Sequence, residues 1–349
     1  MICLRVAILS LYDFDEVQGG TEIFVRYLRQ VFPDNENITF SKSRSEVADL
    51  SLMKINLEYE RMGLAISKRF ARLNRQQEFD LVFCNDVAGL GLKILAPDIP
   101  AYQVFHYTYK GFAGAALRGR PGYFSSYHLQ SLFEKFTANG KKVVAVSHKT
   151  RRELEQLYGL SAKVIENGVP LDHFKPMPRE RAREQLGIEW SGPMGIFVGR
   201  MDRTKGFDIV QAVARKRRKD LRILCVTGAA VDDENIIIAR KVPNEKMPVY
   251  YSAADFLFFP SFYESSSYAS IEAIACGLPV VANRTGLFED VEEHRVGRIL
   301  ESRDPEAYSS AIDEVLRNGE YDTRRLAEER FSLERFTRSY QDLAKERFG

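Results

Sequence analysis

Cysteine, tryptophan and long apolar runs are scarce in this chain of 349 residues, which has four Cys and one Trp. Cys3, Cys84, Cys225 and Cys276 stand singly in apolar segments, without a C-x-x-C pair. This spacing argues against a disulfide framework or a zinc site and predicts buried, reduced thiols in a cytoplasmic protein. No stretch approaches the roughly 18 apolar residues of a membrane-spanning helix. The opening segment contains Arg5 and lacks a small-residue cleavage site, so we interpret it as a strand, not a signal peptide.

Net charge is also small, because 50 Lys and Arg face 48 Asp and Glu, which gives +2. The overall field therefore does not favour nucleic acid as a partner. Residues 1–165 are slightly basic and the remainder is slightly acidic. This asymmetry leaves open an anionic acceptor, or peripheral contact of the first half with the inner face of a membrane.

Short β-rich runs alternate with helical patterns in both halves, which predicts parallel sheets covered by helices. In the first half we predict strands at 4–12, 79–85, 101–107 and 141–147 and helices at 21–32 and 149–159. The apolar face of the helix at 21–32 comprises Ile23, Phe24, Tyr27, Leu28 and Val31. In the second half we predict strands at 194–200, 221–229, 234–240, 255–261 and 279–283, with a helix at 207–216.

The length and the repeated pattern favour two domains, since a domain averages about 150 residues. We expect two doubly wound α/β domains whose strand ends face a central cleft. Gly and Pro in VIENGVPLDHFKP interrupt the pattern, so the first domain is predicted at 1–168 and the second at 169–330. Residues 331–349, with an amphipathic helix at 331–348, are expected to return to the first domain.

The segment FPSFYESSSYASIEAIACGLPVVAN (259–283) combines two carboxylates with a helix start. Glu264 precedes the small polar residues Ser265, Ser266 and Ser267, and Glu272 follows two turns later. Exposed N–H groups at a helix N-terminus suit phosphate oxygens, and the carboxylates suit hydroxyl donors such as ribose. The alternative is that both carboxylates are merely solvated and that the serines cap the helix.

A second pattern, Gly199-Arg200 followed by Lys205-Gly206, comes directly after the predicted strand MGIFV. Glycine permits close approach of the backbone, and the two cations suit a diphosphate. Taken alone, a Lys-Gly pair after a strand is often only a turn.

Together, GRMDRTKG, the E-x7-E segment followed by ACGLPVV, and ENGVPLDHFKP resemble glycosyltransferase family 4. GGTE, VFHYTYKG and AVSHKT extend the resemblance over nearly the whole chain. Members of that family are retaining enzymes that use nucleotide-sugar donors. The resemblance therefore implies an α/β chain of the GT-B fold, with two Rossmann-like domains. The first domain would bind the acceptor and the second the donor.

The resemblance also implies roles for single residues. Arg200 and Lys205 would contact the donor diphosphate, Glu264 the hydroxyls of the donor sugar, and His106 would lie beside the transferred sugar. Glu272 would hold the ribose. The other donor-binding positions implied are Gly19, Gly20, Gly199, Ser266, Ser267 and Tyr268, and Gly286 and Glu289 match a Gly-x-x-Glu that follows the nucleotide site.

Two departures from the family pattern concern specificity. Ser266-Ser267 stands where the family often has Phe-Gly, so the identity of the donor sugar cannot be inferred from members that have Phe-Gly. Arg240 stands where many members have a small residue near the nucleotide base, so the identity of the base cannot be inferred from those members either.

The implied activity is transfer of a hexose, with retention, from a UDP- or GDP-sugar to a hydroxyl of a glycan, a lipid-linked acceptor or a small molecule. No cofactor and no metal are expected, because two cations and a helix terminus can stabilise the leaving group. The alternatives are a GT-B phosphorylase, which would not need a ribose-binding Glu272, a sugar-nucleotide epimerase, and a two-domain binding protein without chemistry.

Three weaker patterns have ordinary explanations. Asp13-Phe14-Asp15 has the D-x-D spacing of some metal sites but lies in the first strand-to-helix loop. Gly89-Leu90-Gly91 begins a dinucleotide motif that Ile94 breaks. Residues 109–124, rich in Gly, aromatics and basic residues, are either a surface loop or a place that grips an acceptor or a lipid headgroup.

Overall fold

The computed structural model describes residues 4–17, 19–42, 57–229, 231 and 233–346. The chain forms two compact units. One unit runs as far as Asn167 and takes in the chain again from Phe336, and the other comprises Gly168–Arg335. The division thus falls one residue before the predicted boundary, and the second unit extends a few residues into the last helix.

A parallel sheet of six described strands, in the order β2-β1-β3-β4-β5-β6, forms the centre of the first unit. The strands are β1 (Val6–Leu9), β2 (Asn35–Ile38), β3 (Leu81–Asn85), β4 (Ala101–Phe105), β5 (Lys142–Ala145) and β6 (Lys163–Val164). Its helices are α1 (Gly20–Val31), α2 (Glu58–Asn74), α3 (Leu92–Leu95), α4 (Tyr109–Phe112), α5 (Ser131–Thr137) and α6 (His148–Glu153). Each predicted strand of this half is present but shorter than predicted.

Helix α1 buries the predicted apolar face except at one position. Phe24, Tyr27, Leu28 and Val31 are buried, whereas Ile23 is only partly covered. The helix begins one residue earlier than predicted, at the second glycine of the Gly-Gly pair.

The second unit also contains a parallel sheet with six described strands, in the order β12-β11-β10-β7-β8-β9. The strands are β7 (Met194–Val198), β8 (Arg222–Val226), β9 (Ile236–Ala239), β10 (Phe256–Phe259), β11 (Val280–Asn283) and β12 (Gly297–Leu300). The helices are α7 (Arg179–Gln185), α8 (Phe207–Lys216), α9 (Met247–Ala253), α10 (Tyr268–Ala275), α11 (Glu293–Val296), α12 (Pro305–Asn318) and α13 (Thr323–Arg330). Because β7, β10 and β11 are neighbours and parallel, the loops that follow them meet at one edge of the sheet.

The last helix, α14 (Leu333–Lys345), packs its apolar side on the first unit. The Tyr340 ring lies against Phe24 and Phe83, with centroids 5.7 and 5.6 Å apart. The Tyr102 hydroxyl donates a hydrogen bond of 2.7 Å to the carbonyl of Leu343. Residues 347 and 348 of the predicted helix lie outside the described residues.

Three of the four thiols, those of Cys84, Cys225 and Cys276, are free and buried, and Cys3 lies outside the described residues. Burial raises the pKa of all three thiols above its ordinary value, so they remain protonated. Among the described helices, none is both long enough and apolar enough to cross a bilayer.

Candidate active site

The turn after β7 brings a lysine to the carboxyl edge of the second sheet. Asp202 caps this turn by accepting hydrogen bonds from the backbone N–H groups of Thr204 and Lys205, at 2.9 and 3.1 Å. Gly206 then has φ +71°, and a Cβ built there would lie 2.1 Å from the carbonyl oxygen of Pro260. Only glycine combines this left-handed conformation with so close an approach. Gly206 thus fixes the backbone position from which the Lys205 side chain extends.

Lys205 and Glu264 form an ion pair, with Lys205 Nζ 2.5 Å from Glu264 Oε1. The side chains are 25% and 12% exposed, so the pair is largely covered yet reachable. The backbone N–H of Glu264 donates to Thr285 Oγ1 at 3.0 Å, which ties the loop after β10 to the loop after β11. The first carboxylate of the E-x7-E segment therefore lies beside the lysine of the predicted diphosphate site.

Arg200 occupies the same turn but lies differently. Its side chain is 75% exposed, and its Nε lies 2.9 Å from Asp202 Oδ2. The structure thus brings together Lys205 and Glu264 and leaves Arg200 at the surface of the turn, paired with its near neighbour.

Helix α10 begins directly after Ser267, beside the Glu264 loop. Ser267 occupies the N-cap position with an extended backbone, and its side chain makes no capping hydrogen bond. Ser265 is buried, and Ser266 and Ser267 are partly exposed. The first N–H groups of a helix lack partners within the helix, and they carry partial positive charge. Side-chain capping by Ser267, the ordinary explanation of a serine at this position, is absent.

Glu272 is buried and held by two side chains that sequence analysis did not identify. Tyr251 in α9 donates its hydroxyl to Glu272 Oε2 at 2.8 Å, and Asn244 donates its amide to Glu272 Oε1 at 3.1 Å. Burial raises the pKa of Glu272 to about 7, although both hydrogen bonds oppose this rise. Each carboxylate oxygen has a second lone pair, so the carboxyl retains capacity for a hydroxyl donor.

His106 belongs to a polar cluster in the first unit, at the ends of β3 and β4. Its Nε2 lies 3.0 Å from Asn85 Oδ1, and its backbone N–H donates to Asp86 Oδ1 at 3.1 Å. Burial lowers the pKa of His106 to about 3, so the imidazole is neutral at pH 7. Burial also raises the pKa of Asp86 to about 7, and Glu22 contributes to this rise.

Two features of this cluster were missed from the sequence, the backbone conformation of Asp86 and the burial of Glu22. Asp86 has φ +47°, a left-handed conformation that is uncommon for a residue with a side chain. The Gly19-Gly20 pair starts α1, and the carboxylate of Glu22 lies within 2.5 Å of a Cβ built at Gly19. Gly19 therefore leaves room for the buried carboxylate of Glu22 in the first turn of α1.

The remaining predicted positions lie around the second sheet. Gly286 begins a short helical turn and approaches the Glu264 loop closely, since a Cβ built on it would lie 2.9 Å from the Ser265 carbonyl oxygen. Glu289 ends that turn and is partly exposed. Tyr268 is buried in the first turn of α10, and Arg240 is exposed after β9.

Metal ligands do not gather in the part of the chain that the structure describes: no three His, Cys, Asp or Glu residues are placed to hold an ion. In the D-x-D segment, Asp13 Oδ2 instead accepts a hydrogen bond of 3.0 Å from Asn37 and lies 3.7 Å from Arg29.

Comparison with known proteins connects these two units with one family. The family model described as Glycosyltransferase Family 4 matches residues 19–173, and that described as Glycosyl transferases group 1 matches residues 192–318. A D-inositol 3-phosphate glycosyltransferase 2 from Catenulispora acidiphila is 29% identical over 203 residues, which cover 50% of this chain and 48% of that protein. The chain spans about half the length of the curated relatives it matches.

Solved structures show the same fold over almost the whole chain. Sucrose-phosphate synthase from Thermosynechococcus elongatus superposes with a TM-score of 0.82 at 20% identity and 98% coverage of both chains. Anabaena HepE in complex with UDP-glucose superposes with a TM-score of 0.77 at 16% identity, covering 98% of this chain and all of the other. The chain therefore belongs to glycosyltransferase family 4, and its two parallel sheets form the GT-B fold.

Proposed function

We propose that this protein is a retaining, metal-independent glycosyltransferase that moves a hexose from a UDP- or GDP-sugar to an acceptor hydroxyl. The observation that carries the proposal is the contact between Lys205 and Glu264 at the start of α10. One cation, one carboxylate and a helix N-terminus lie at the same edge of a parallel sheet. This is the chemistry needed to hold a diphosphate next to a polyol.

Lys205 supplies positive charge to the leaving diphosphate. An ammonium has three N–H donors, so the bond to Glu264 leaves two for phosphate oxygens. The ion pair also fixes the direction of the lysine side chain before substrate arrives, which lowers the entropy lost on binding. Arg200, on the same turn, adds a second cation, and the N–H groups of α10 add partial positive charge.

Glu264 accepts hydrogen bonds from hydroxyls of the donor sugar, and Glu272 accepts from the ribose. Asn244 and Tyr251 orient the Glu272 carboxyl, and they hold it with one lone pair on each oxygen still available. Family resemblance assigns four further residues to the donor site. They lie in the turn after β7 and at the start of α10: Gly199, Ser266, Ser267 and Tyr268.

The first unit is assigned to the acceptor, with a glycan, a lipid-linked molecule or a small molecule as its class, and to peripheral contact with a membrane. By family resemblance, neutral His106 contacts the transferred sugar, and Gly19 and Gly20 belong to the phosphate site. Because burial lowers the pKa of His106 to about 3, the ring adds no positive charge to the site.

In the reaction, the bond from the anomeric carbon to the diphosphate breaks as the acceptor oxygen approaches on the same face. The transition state resembles an oxocarbenium ion, and negative charge grows on the departing phosphate. That phosphate takes the proton of the acceptor hydroxyl. Lys205, Arg200 and the helix N–H groups therefore bind the transition state more tightly than the bound donor.

The test is a panel of nucleotide sugars added to the purified protein, read by thermal unfolding, because a ligand that binds only the folded state raises Tm. Donors that stabilise the protein are then assayed for release of nucleoside diphosphate, with and without EDTA. Proton NMR of the product gives the anomeric configuration. Stabilisation by inorganic phosphate but by no nucleotide sugar would favour a phosphorylase and contradict the proposal. An inverted product or loss of turnover in EDTA would contradict retention or metal independence.

A further inference from the structure

The helical segment of residues 123–137 in the first unit buries three polar side chains and exposes several apolar ones. It comprises a π-helical stretch, Ser125–Gln130, that leads directly into α5. Ser131, Glu134 and Thr137 are each 1% exposed, whereas Phe124 and Leu132 are 75% and 63% exposed. A helix on the surface of a water-soluble domain normally has the opposite arrangement.

The buried polar side is fully accounted for by hydrogen bonds. Glu134 accepts from the backbone N–H of Tyr109 at 2.9 Å and from the hydroxyl of Tyr158. The hydroxyls of Ser131 and Thr137 donate to carbonyl oxygens of their own helix, each at 2.6 Å. The polar residues thus have a structural reason to face inward, but no internal contact explains the apolar residues that face outward.

We call the outward-facing residues the apolar stripe: Phe124, His128, Leu132 and Phe136, with Ile94 of α3. The rings of Phe124 and His128 are 5.0 Å apart. Leu132 and Phe136 are one turn apart on α5 and share a face. Phe136 and Ile94 line one cavity, and Ile94 is 72% exposed.

The surroundings of the stripe are basic. Arg118 and Arg120, both exposed, lie in the turn before the helix, and exposed Lys135 directly precedes Phe136 in the sequence. Between residues 109 and 142 the sequence has a single acidic residue, Glu134, which is buried. Burial raises the pKa of Glu134 to about 8, so at neutral pH it does not offset the positive charge.

We propose that the apolar stripe and its flanking arginines dock the protein on an anionic phospholipid bilayer. The exposed rings and aliphatic side chains enter the boundary between headgroups and acyl chains, and the cations meet the lipid phosphates. Apolar side chains alone would suit a protein partner equally well. The positive charge of the flanking arginines favours an anionic lipid surface instead. The inference deepens the proposed membrane contact but rests on this surface and not on the transfer reaction.

The experiment is sedimentation of the full chain with vesicles of phosphatidylglycerol and phosphatidylcholine, compared with vesicles of phosphatidylcholine alone, without donor. We expect binding to the anionic vesicles that weakens with salt. Replacing Phe124, Leu132 and Phe136 together by Ser should lower the partition coefficient about 100-fold or more, because each buried apolar side chain contributes strongly to transfer.

Arg118→Ser combined with Arg120→Ser should lower the partition coefficient about 30-fold, since each basic residue near an anionic surface contributes about a factor of five. The matched control, Arg218→Ser with Lys219→Ser, removes two exposed cations from the second unit and should leave binding unchanged. Tyr59→Ser, which removes an exposed apolar ring elsewhere in the first unit, is the control for the stripe.

Equal binding by the wild type and the stripe variant would overturn the proposal, as would equal binding to both kinds of vesicle. Sedimentation equilibrium tests whether the stripe binds a second copy of the chain. A concentration-dependent dimer that the stripe variant loses would overturn the proposal and assign the surface to self-association. Since no donor is present, a failure here leaves the donor assays unaffected, and failed donor assays do not explain a loss of vesicle binding.

Discussion

Lys205→Ala tests the diphosphate assignment most directly. The ammonium lies 2.5 Å from Glu264 and is 25% exposed, so its charge acts in a partly screened environment. Two unit charges 4 Å apart interact by about 4 kcal/mol at an effective dielectric constant of 20. Loss of one preorganised stabilising group in known enzymes lowers kcat about 10²- to 10³-fold. We therefore expect kcat/KM to fall about 10²-fold or more.

The loss should appear mainly in kcat, because charge on the departing phosphate grows between the bound donor and the transition state. Release of nucleoside diphosphate, measured over a range of donor concentrations, separates kcat from KM. Lys216→Ala is the matched control: it breaks the exposed Lys216–Glu306 pair of the same unit and should leave both constants unchanged. Near-normal turnover by a folded Lys205→Ala variant would refute the reasoning.

Arg200 provides a graded comparison on the same turn. Its side chain is 75% exposed and already paired with Asp202, so solvent screens its charge more than that of Lys205. Arg200→Ala should lower kcat/KM by about tenfold, which is less than the loss expected for Lys205→Ala. A larger loss for Arg200 than for Lys205 would mean that the turn rearranges on donor binding.

Three further changes test other parts of the structure. Glu272→Ala should raise donor KM with a smaller effect on kcat, and an unchanged KM in donor titrations would remove its ribose role. Gly206→Ala should lower the free energy of unfolding by about 1–3 kcal/mol in urea titrations, since a Cβ there meets Pro260 at φ +71°. Glu134 has its pKa raised from 4.5 to about 8, so its contribution to stability is present below pH 4.5 and is lost as pH rises through 8. Glu134→Gln, which imitates the protonated form, should flatten that decline in unfolding measurements between pH 5 and pH 9, and an unaltered slope would contradict the assignment.

The sequence predicted secondary structure best where a run of apolar residues coincides with a strand that is buried in the sheet centre. Strands of the sheet centres, such as β7 and β10, are continuous apolar runs, and a buried parallel strand leaves that signal. Strand β2, with the sequence NENI, lies at a sheet edge and carries polar residues, so no alternation marks it. No element is predicted from the sequence for residues 33–78, which include β2 and α2.

The candidate site was predictable to the extent that it is local in sequence. The Lys205–Glu264 contact joins two motifs that the sequence had already singled out. The partners of Glu272 were not predictable, because Asn244 and Tyr251 come from a short turn and from α9, where their spacing forms no motif. The left-handed backbone of Asp86 was likewise invisible, since an aspartate after a strand has no sequence mark of positive φ.

The return of α14 to the first unit has a consequence for how the protein is made. Rings of Phe24 and Phe83, in the first quarter of the chain, pack against Tyr340, which is translated after the whole second unit. During synthesis the amino-terminal unit therefore emerges from the ribosome with an uncovered apolar surface, and it keeps that surface while all of the second unit is translated. A messenger truncated before the last helix would yield a product that chaperones and proteases recognise, even though the sheet of the second unit is complete.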